Sequence, residues 1–474
     1  MGEEFQWDDD YQVEGLAERF EQMLRQHDDI YFDSEEFELL IEFYHNQLNN
    51  EKALLALSIG LEVHPDNNRL RIISARQMAS EGKYVNALNL LNEIETKEPA
   101  DVDILMTKGS VYSMMLDFSK AVQEYEKALV IVDDDEVEEI YSSIAYEYEN
   151  MGAYDTALIY LNKALEISEN PEQILFEIGL CYELASNIDG EIEFFQHYVD
   201  KNPGIAAGWF NLGLSYNHQE LYEKAIDAFE YVIAIDETNV PAYINMAQAW
   251  SSLGQYHKAL ELYHETAVYE PFEAMTLYFI GECHEKLQDY EKARDFYQQA
   301  VISDEMLPDA WAGLSVIYDE QGDTAMAIYH IEKAIGFDDL NTEFKLIAAD
   351  LYIKTKKYDK AKEQFQRIEE LDPQDPDLWK EYAYMYIIEG ETEKAVQVLK
   401  TGLIHQPRNA SILYRLVSAL ILNKNLSQAY FYLESALELD FDQHHELFEF
   451  MPSIKYNPKV IELITQYKPA DKVE

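Results

Sequence analysis

Residues 206–236 read AAGWFNLGLSYNHQELYEKAIDAFEYVIAID, and the order of large and small side chains in this stretch decides the fold. Trp209, Leu212, Gly213 and Tyr216 stand at i, i+3, i+4 and i+7, the spacing that aligns side chains along one face of an α-helix. Ala225 and Phe229, four residues apart, mark a second helix a short distance on. Each helix carries one small residue in its apolar stripe, which lets two helix backbones approach near the short end of the usual interaxial spacing. The stretch therefore reads as one antiparallel helical hairpin. A single hairpin cannot bury its own apolar stripe, so the question is whether it recurs.

It recurs twelve times. Taking the alanine of the second helix as marker, the series runs Ala53, Ala87, Ala121, Ala157, Glu191, Ala225, Ala259, Ala293, Ala327, Ala361, Ala395 and Ala429. Every step is 34 residues except that from Ala121 to Ala157, which is 36. Four residues after each marker stands a large apolar side chain, from Leu57 and Leu91 through Tyr125, Phe195, Phe229 and Tyr297 to Leu433. Twelve before it stands a small one: Ala75, Gly109, Ala145, Gly179, Gly213, Ala247, Gly281, Ser315, Ala349 and Ala383. Only the first and last repeats depart, with Ile41 and Val417, as terminal units lacking one repeat neighbour do. Gly82, Gly152, Gly254, Gly322 and Gly390 punctuate hairpins, and Pro65, Pro99, Pro203, Pro271, Pro373 and Pro407 stop second helices.

The pattern Trp209-x-x-Leu212-Gly213-x-x-Tyr216 with Ala225-x-x-x-Phe229 resembles the signature of the tetratricopeptide repeat (TPR) family. The resemblance covers most of the chain and looks like a stand-alone array of the bacterial type. It implies an all-α fold, an α-solenoid: a right-handed superhelix of antiparallel helix pairs, about twelve hairpins. Repeats are expected to start near residues 34, 68, 102, 138, 172, 206, 240, 274, 308, 342, 376 and 410, filling 34–443. Residues 1–33 read as an acidic leader with a capping helix from about Tyr11 to Gln26. Residues 444–474 read as a capping helix, interrupted by Pro452 and Pro458, and a tail.

Composition narrows the function. Against 36 basic residues stand 91 acidic ones, a net charge of −55 that repels phosphate backbones and argues against a nucleic-acid partner. The surplus has two readings: it keeps a long, exposed solenoid soluble, and it attracts basic polypeptides at low salt. The N-terminal MGEEFQWDDDYQ is acidic where a signal peptide is basic, and the apolar run Ser411–Leu422 is too short to cross a bilayer, so a cytoplasmic protein without membrane insertion is expected. Cys181 and Cys283, three repeats apart at one hairpin position, are expected to be packed, reduced thiols. Neither a phosphate-binding Gly-rich loop nor a HExxH, CxxC or GxSxG motif occurs. The adjacent His444 and His445 point to different helix faces, so no metal, no cofactor and no enzymatic activity is expected.

In the family the first helix of each hairpin lines a concave groove. With Trp209, Leu212, Gly213 and Tyr216 facing the array, the complementary stripe is Phe210, Asn211, Leu214 and Asn217. Neighbouring repeats add Phe176 and Leu180 before it, then Ile244, Asn245 and Gln248, then Tyr278, Phe279 and Glu282. Asn211 and Asn245 share one register position, which resembles the asparagine ladder with which some grooves of the family hold a peptide backbone; an amide offers both donor and acceptor. The aromatics have an alternative reading, as packing against neighbouring repeats. The family's clamp for acidic C-termini is not matched: Phe210 and Leu214 fill its Lys and Asn places, and Glu282 and Asp309 add the wrong sign. A basic or apolar peptide suits the groove better. The extra residues at Asp133–Glu136 and Glu191 at a marker position signal either local accommodation or a hinge. A bulky carboxylate at a close helix contact should splay its hairpin or be rotated outward. The expected function is a monomeric or weakly self-associating scaffold for a protein partner. Alternatives are a chaperone-like holder of basic or secreted clients and an accessory subunit of an enzyme.

Overall fold

The computed structural model describes residues 3–26, 30–132, 136–269, 271–375 and 377–468, so the acidic turn at 133–135 and the tail from 469 lie outside the described residues. The chain divides into two compact units, Met1–Glu237 and Thr238–Glu474. Among the described residues each unit is built of helical hairpins and contains no strand.

In the first unit, hairpins open at Ser34, Asn68, Val102, Val137, Glu172 and Ala206. In the second they open at Val240, Ala274, Pro308, Thr342, Leu378 and Ala410. Within each unit a first helix packs most extensively on its own second helix, Glu172–Leu184 excepted, and then on the adjoining hairpins. That nearest-neighbour pattern makes each unit an α-solenoid. The N-terminal helix Glu3–Gln26 covers the first hairpin: Phe20 is buried and meets Phe32 and Phe37 edge-on at centroid distances of 5.8 and 6.4 Å. At the other end, the helix His445–Phe450, a 3-10 turn Pro452–Tyr456 and the helix Pro458–Gln466 cover the last hairpin through Leu447, Ile454, Val460 and Leu463. Pro452 and Pro458 each open an element, where the missing N–H has no intrahelical partner to lose.

The small residue of each first helix has a visible cause. A Cβ built on Gly213 would stand 2.6 Å from the Phe229 ring, and one on Gly281 2.6 Å from the Tyr297 ring. The ring sixteen residues later therefore occupies the volume of the missing methyl. Each turn within a hairpin places one residue at positive φ, with the next N–H reaching back five residues to close the first helix. Glycine fills this slot at the five positions marked in the sequence, but Leu48, Leu116, Ser186, Glu220, Gln288, Lys356 and Lys424 adopt the same conformation.

Two further slots explain side chains that look out of place. The indole N–H groups of Trp209, Trp311 and Trp379 donate to the carbonyls of Pro203, Glu305 and Pro373 at 3.0, 2.9 and 3.1 Å, tying each hairpin to the loop before it. Lys345 stands in the same register and does the same work. It is 1% exposed, and its ammonium donates to the Asp339 carbonyl at 2.6 Å while pairing with the Asp339 carboxylate at 2.9 Å. At Glu191 the structure selects one of the two expected outcomes. The side chain stays inside, 3% exposed, rather than rotating outward. The hairpin gives way instead: helices Glu172–Leu184 and Ile188–Lys201 pack far less closely than the two helices of any other hairpin.

Candidate binding face

The twelve groove residues expected from the sequence divide evenly between the units, and each set is described within its own unit. In the first unit Phe176 and Leu180 are open, at 62% and 39% exposed. Phe210 is half-buried, edge-on to Phe229 at 5.8 Å. Leu214 and Asn217 are also half-buried. Asn211 is buried between consecutive first helices, with its Oδ1 2.9 Å from where a Cβ on Gly179 would stand and its Nδ2 donating to the Ala207 carbonyl at 2.8 Å. In the second unit Asn245 turns the same way, its Nδ2 on the Pro241 carbonyl at 2.9 Å. Both amides thus have one N–H engaged by their own helix. Ile244 and Gln248 are half-buried. Tyr278 lies against Tyr297 at 5.7 Å, and Phe279 stacks on Tyr263 at 6.2 Å, so these rings serve mainly the repeat core. Burial, then the carboxylates of Glu285, Asp309 and Glu343, hold the Glu282 carboxyl above its ordinary range, with Lys286 opposing.

Among the described residues, two open pockets lie on the first-helix face of the first unit. One, of about 760 Å³, is floored by Ile41, Leu54, Leu57, Ile72 and Ile73. Its charges answer one another: Arg69 reaches Glu38 at 3.5 Å and Arg76 reaches Asp103 at 3.4 Å. The other, of about 620 Å³, lies across three successive first helices, Val102–Met114, Val137–Asn150 and Glu172–Leu184. Ser110, Ser113, Ser142 and Ser143 line it with hydroxyls, Tyr125, Tyr146 and Leu180 with apolar surface, and Glu147, Glu149 and Glu177 with carboxylates.

The electrostatics of this second pocket differ from those of the first. Glu147 is 1% exposed; Ser113 hydrogen-bonds its carboxyl, while Oε2 has no partner. Burial pushes its affinity for a proton above the ordinary carboxylate range. Glu149 is pushed up to about 7, first by desolvation and then by the charge of Glu177. Among the described residues no cation contributes to either group. The signal for Glu147 was present in the sequence. It stands two residues after Ala145, in a slot filled elsewhere by Phe43, Gln77, Val111, Cys181, Ser215, Ala249, Cys283, Ile317, Leu351, Met385 and Ala419. Glu147 is the one charged residue in that series.

Cys181 and Cys283 are free and buried, and burial pushes their thiols up to about 12 and 11, leaving little thiolate at neutral pH. The ring nitrogens Nδ1 of His444 and His445 face the backbone carbonyls of Phe441 and Asp442. Among the described residues no helix is long and apolar enough to cross a membrane.

Known proteins bear on this architecture. Family models described as tetratricopeptide repeat match residues 138–171, 206–239, 245–306, 320–382 and 410–443. The human "Tetratricopeptide repeat protein 16" is 25% identical over 121 residues, 23% of this chain and 14% of that protein. The "TPR repeat-containing protein MJ1428" of Methanocaldococcus jannaschii is 27% identical over 122 residues, 26% of this chain and 21% of that protein. The matches thus span about a seventh and a fifth of these relatives' own lengths. Among solved structures, the APC/C hetero-tetramer Cut9-Hcn1 aligns over 89% of this chain and 93% of that chain, with 17% identity and a TM-score of 0.44. With twelve hairpins in register and the repeat models matching along both units, the chain is a tetratricopeptide repeat protein.

Proposed function

We propose that this chain is a cytoplasmic, non-catalytic scaffold that holds polypeptide partners along the first-helix face of its hairpins. The observation that carries the reading is the exposure of Phe176 and Leu180, 62% and 39%, beside an open pocket. A solenoid has no need to leave a phenylalanine in water; Phe210, one repeat later at the same position, is covered by Phe229. Covering such side chains with a partner yields roughly 25 cal/mol per Å² of apolar area, and aromatic anchors typically dominate peptide recognition. In the second unit the same face offers Ile244, Gln248 and Glu282 as half-buried contacts. The net charge of −55 favours basic or apolar partners and speeds their encounter at low salt.

Selection of binders from a random-sequence peptide library tests the reading. Peptides that bind the parent protein and lose affinity for the Phe176→Ala/Leu180→Ala double variant, with unchanged helical circular dichroism, support it. An absence of binders, or binders indifferent to the double variant, refutes it.

A further inference from the structure

The pocket formed by the first helices Val102–Met114, Val137–Asn150 and Glu172–Leu184 holds three carboxylates, and among the described residues no Lys, Arg or His side chain forms an ion pair with them. Glu147 is 1% exposed with Oε2 unpartnered, Glu149 is half-buried, and Glu177 accepts a hydrogen bond from the neutral Gln173 amide at 3.1 Å. The neighbouring pocket of the same face shows the contrast, because there Arg69 and Arg76 already pair with Glu38 and Asp103. Acidic surplus alone does not explain Glu147. A solubilising carboxylate belongs in water, whereas this one occupies a helix-packing slot at the cost of desolvation.

The surroundings restrict what can satisfy it. Among the described residues no group of three or more metal-ligating side chains is assembled, so an organic cation suits the pocket better than a metal ion. The rim is part apolar, with Tyr146 58% exposed and Leu180 39% exposed, which suits the methylene stem of a long side chain. Carboxylate and hydroxyl acceptors stand on three different helices, more than a point-like ammonium can engage at once. A guanidinium, planar and with five N–H donors, distributes its hydrogen bonds over such a set and stacks on tyrosine.

We infer that the Glu147–Glu149–Glu177 pocket is a specificity site that takes an arginine side chain of the bound polypeptide. This rests on the first-helix face being the peptide-binding surface, and it adds the chemical identity of one anchor: Phe176 and Leu180 hold apolar neighbours while the guanidinium enters between Glu147 and Glu149.

The test uses the full-length protein and two capped probes, Leu-Ala-Arg-Ala-Leu and the same peptide with citrulline, the neutral isostere, in place of arginine. At low salt the arginine peptide is expected to bind about ten- to a hundredfold tighter, the range of charge-assisted hydrogen bonds formed in a partly desolvated site. The Glu147→Gln/Glu149→Gln/Glu177→Gln variant should bring the ratio close to one. Removing three exposed carboxylates elsewhere in the unit, Glu62→Gln/Glu166→Gln/Glu169→Gln, should leave the ratio largely intact. Equal binding of the two probes, no binding of the arginine probe, or an equal loss of discrimination in both triple variants overturns the proposal. The last result would assign the preference to the bulk field of the protein. Phe176→Ala/Leu180→Ala should weaken both probes alike, so failure of the binding face and failure of the arginine pocket are read from different variants.

Discussion

Glu191→Ala should stabilise the fifth hairpin, and by more at high pH than at low. Eleven of the twelve repeats place alanine at this position, and Glu191 occupies it 3% exposed with Oε2 lacking any partner. An unsatisfied buried acceptor costs about 1–3 kcal/mol. The opposing term is the void left by the lost carboxymethyl group. At ~24 cal/mol per Å³, a cavity on the order of 50 Å³ costs about 1 kcal/mol, and less if the loosely packed hairpin closes. The net effect expected is a gain of about 1–2 kcal/mol near neutral pH and above. The pH dependence follows from the direction of the shift. Burial raises the folded-state pKa of Glu191, with a hydrogen bond from Ser215 opposing, so the folded form retains a proton that the unfolded chain has released. Its penalty is therefore full above the folded pKa and vanishes as pH falls toward the ordinary glutamate value. Repeat arrays open locally, so the assay is native-state hydrogen exchange of amides in Glu172–Leu184 and Ile188–Lys201, comparing variant with parent at about pH 8 and about pH 5.5. Protection that falls in the variant at the higher pH, or a gain of the same size at both, would refute the reasoning.

Three further outcomes are expected. Glu149, with a folded pKa of about 7, makes the parent lose stability as pH rises from the ordinary glutamate value to about 7. The loss should be about 1–2 kcal/mol after allowance for partial solvent screening, and thermal melts should show Glu149→Gln flattening that slope. Lys345→Met removes the donor that engages the Asp339 carbonyl and should cost about 1–3 kcal/mol, whereas Lys345→Trp, restoring the indole of the sister repeats, should recover most of it in denaturant titrations. Gly82→Ala meets no atom within 4 Å and should cost only the backbone term at φ +76, about 1 kcal/mol. Gly213→Ala, driven into the Phe229 ring, should cost more, about 1–3 kcal/mol, and scanning calorimetry of the pair separates backbone strain from overpacking.

Local chemistry made most of the architecture legible. A small residue recurring every 34 positions, with a large one sixteen later, requires helix pairs that nest, because a side chain can occupy only the volume that its neighbour omits. Hairpin starts, turn glycines and the anomaly at Glu191 all follow from that register. What the register could not decide is which side chain a neighbouring helix covers. Phe176 and Phe210 are equivalent by position, yet one is open and the other meets Phe229. Asn211 is on the expected face by angle, yet lies between first helices with its amide on Ala207. The splay of the hairpin around Glu191, and the convergence of Glu147, Glu149 and Glu177 on one pocket, arise from three helices approaching in space. Periodicity along a chain reports the direction of a side chain from its own helix axis; burial and charge neutralisation depend on distances between helices, which only the tertiary structure decides.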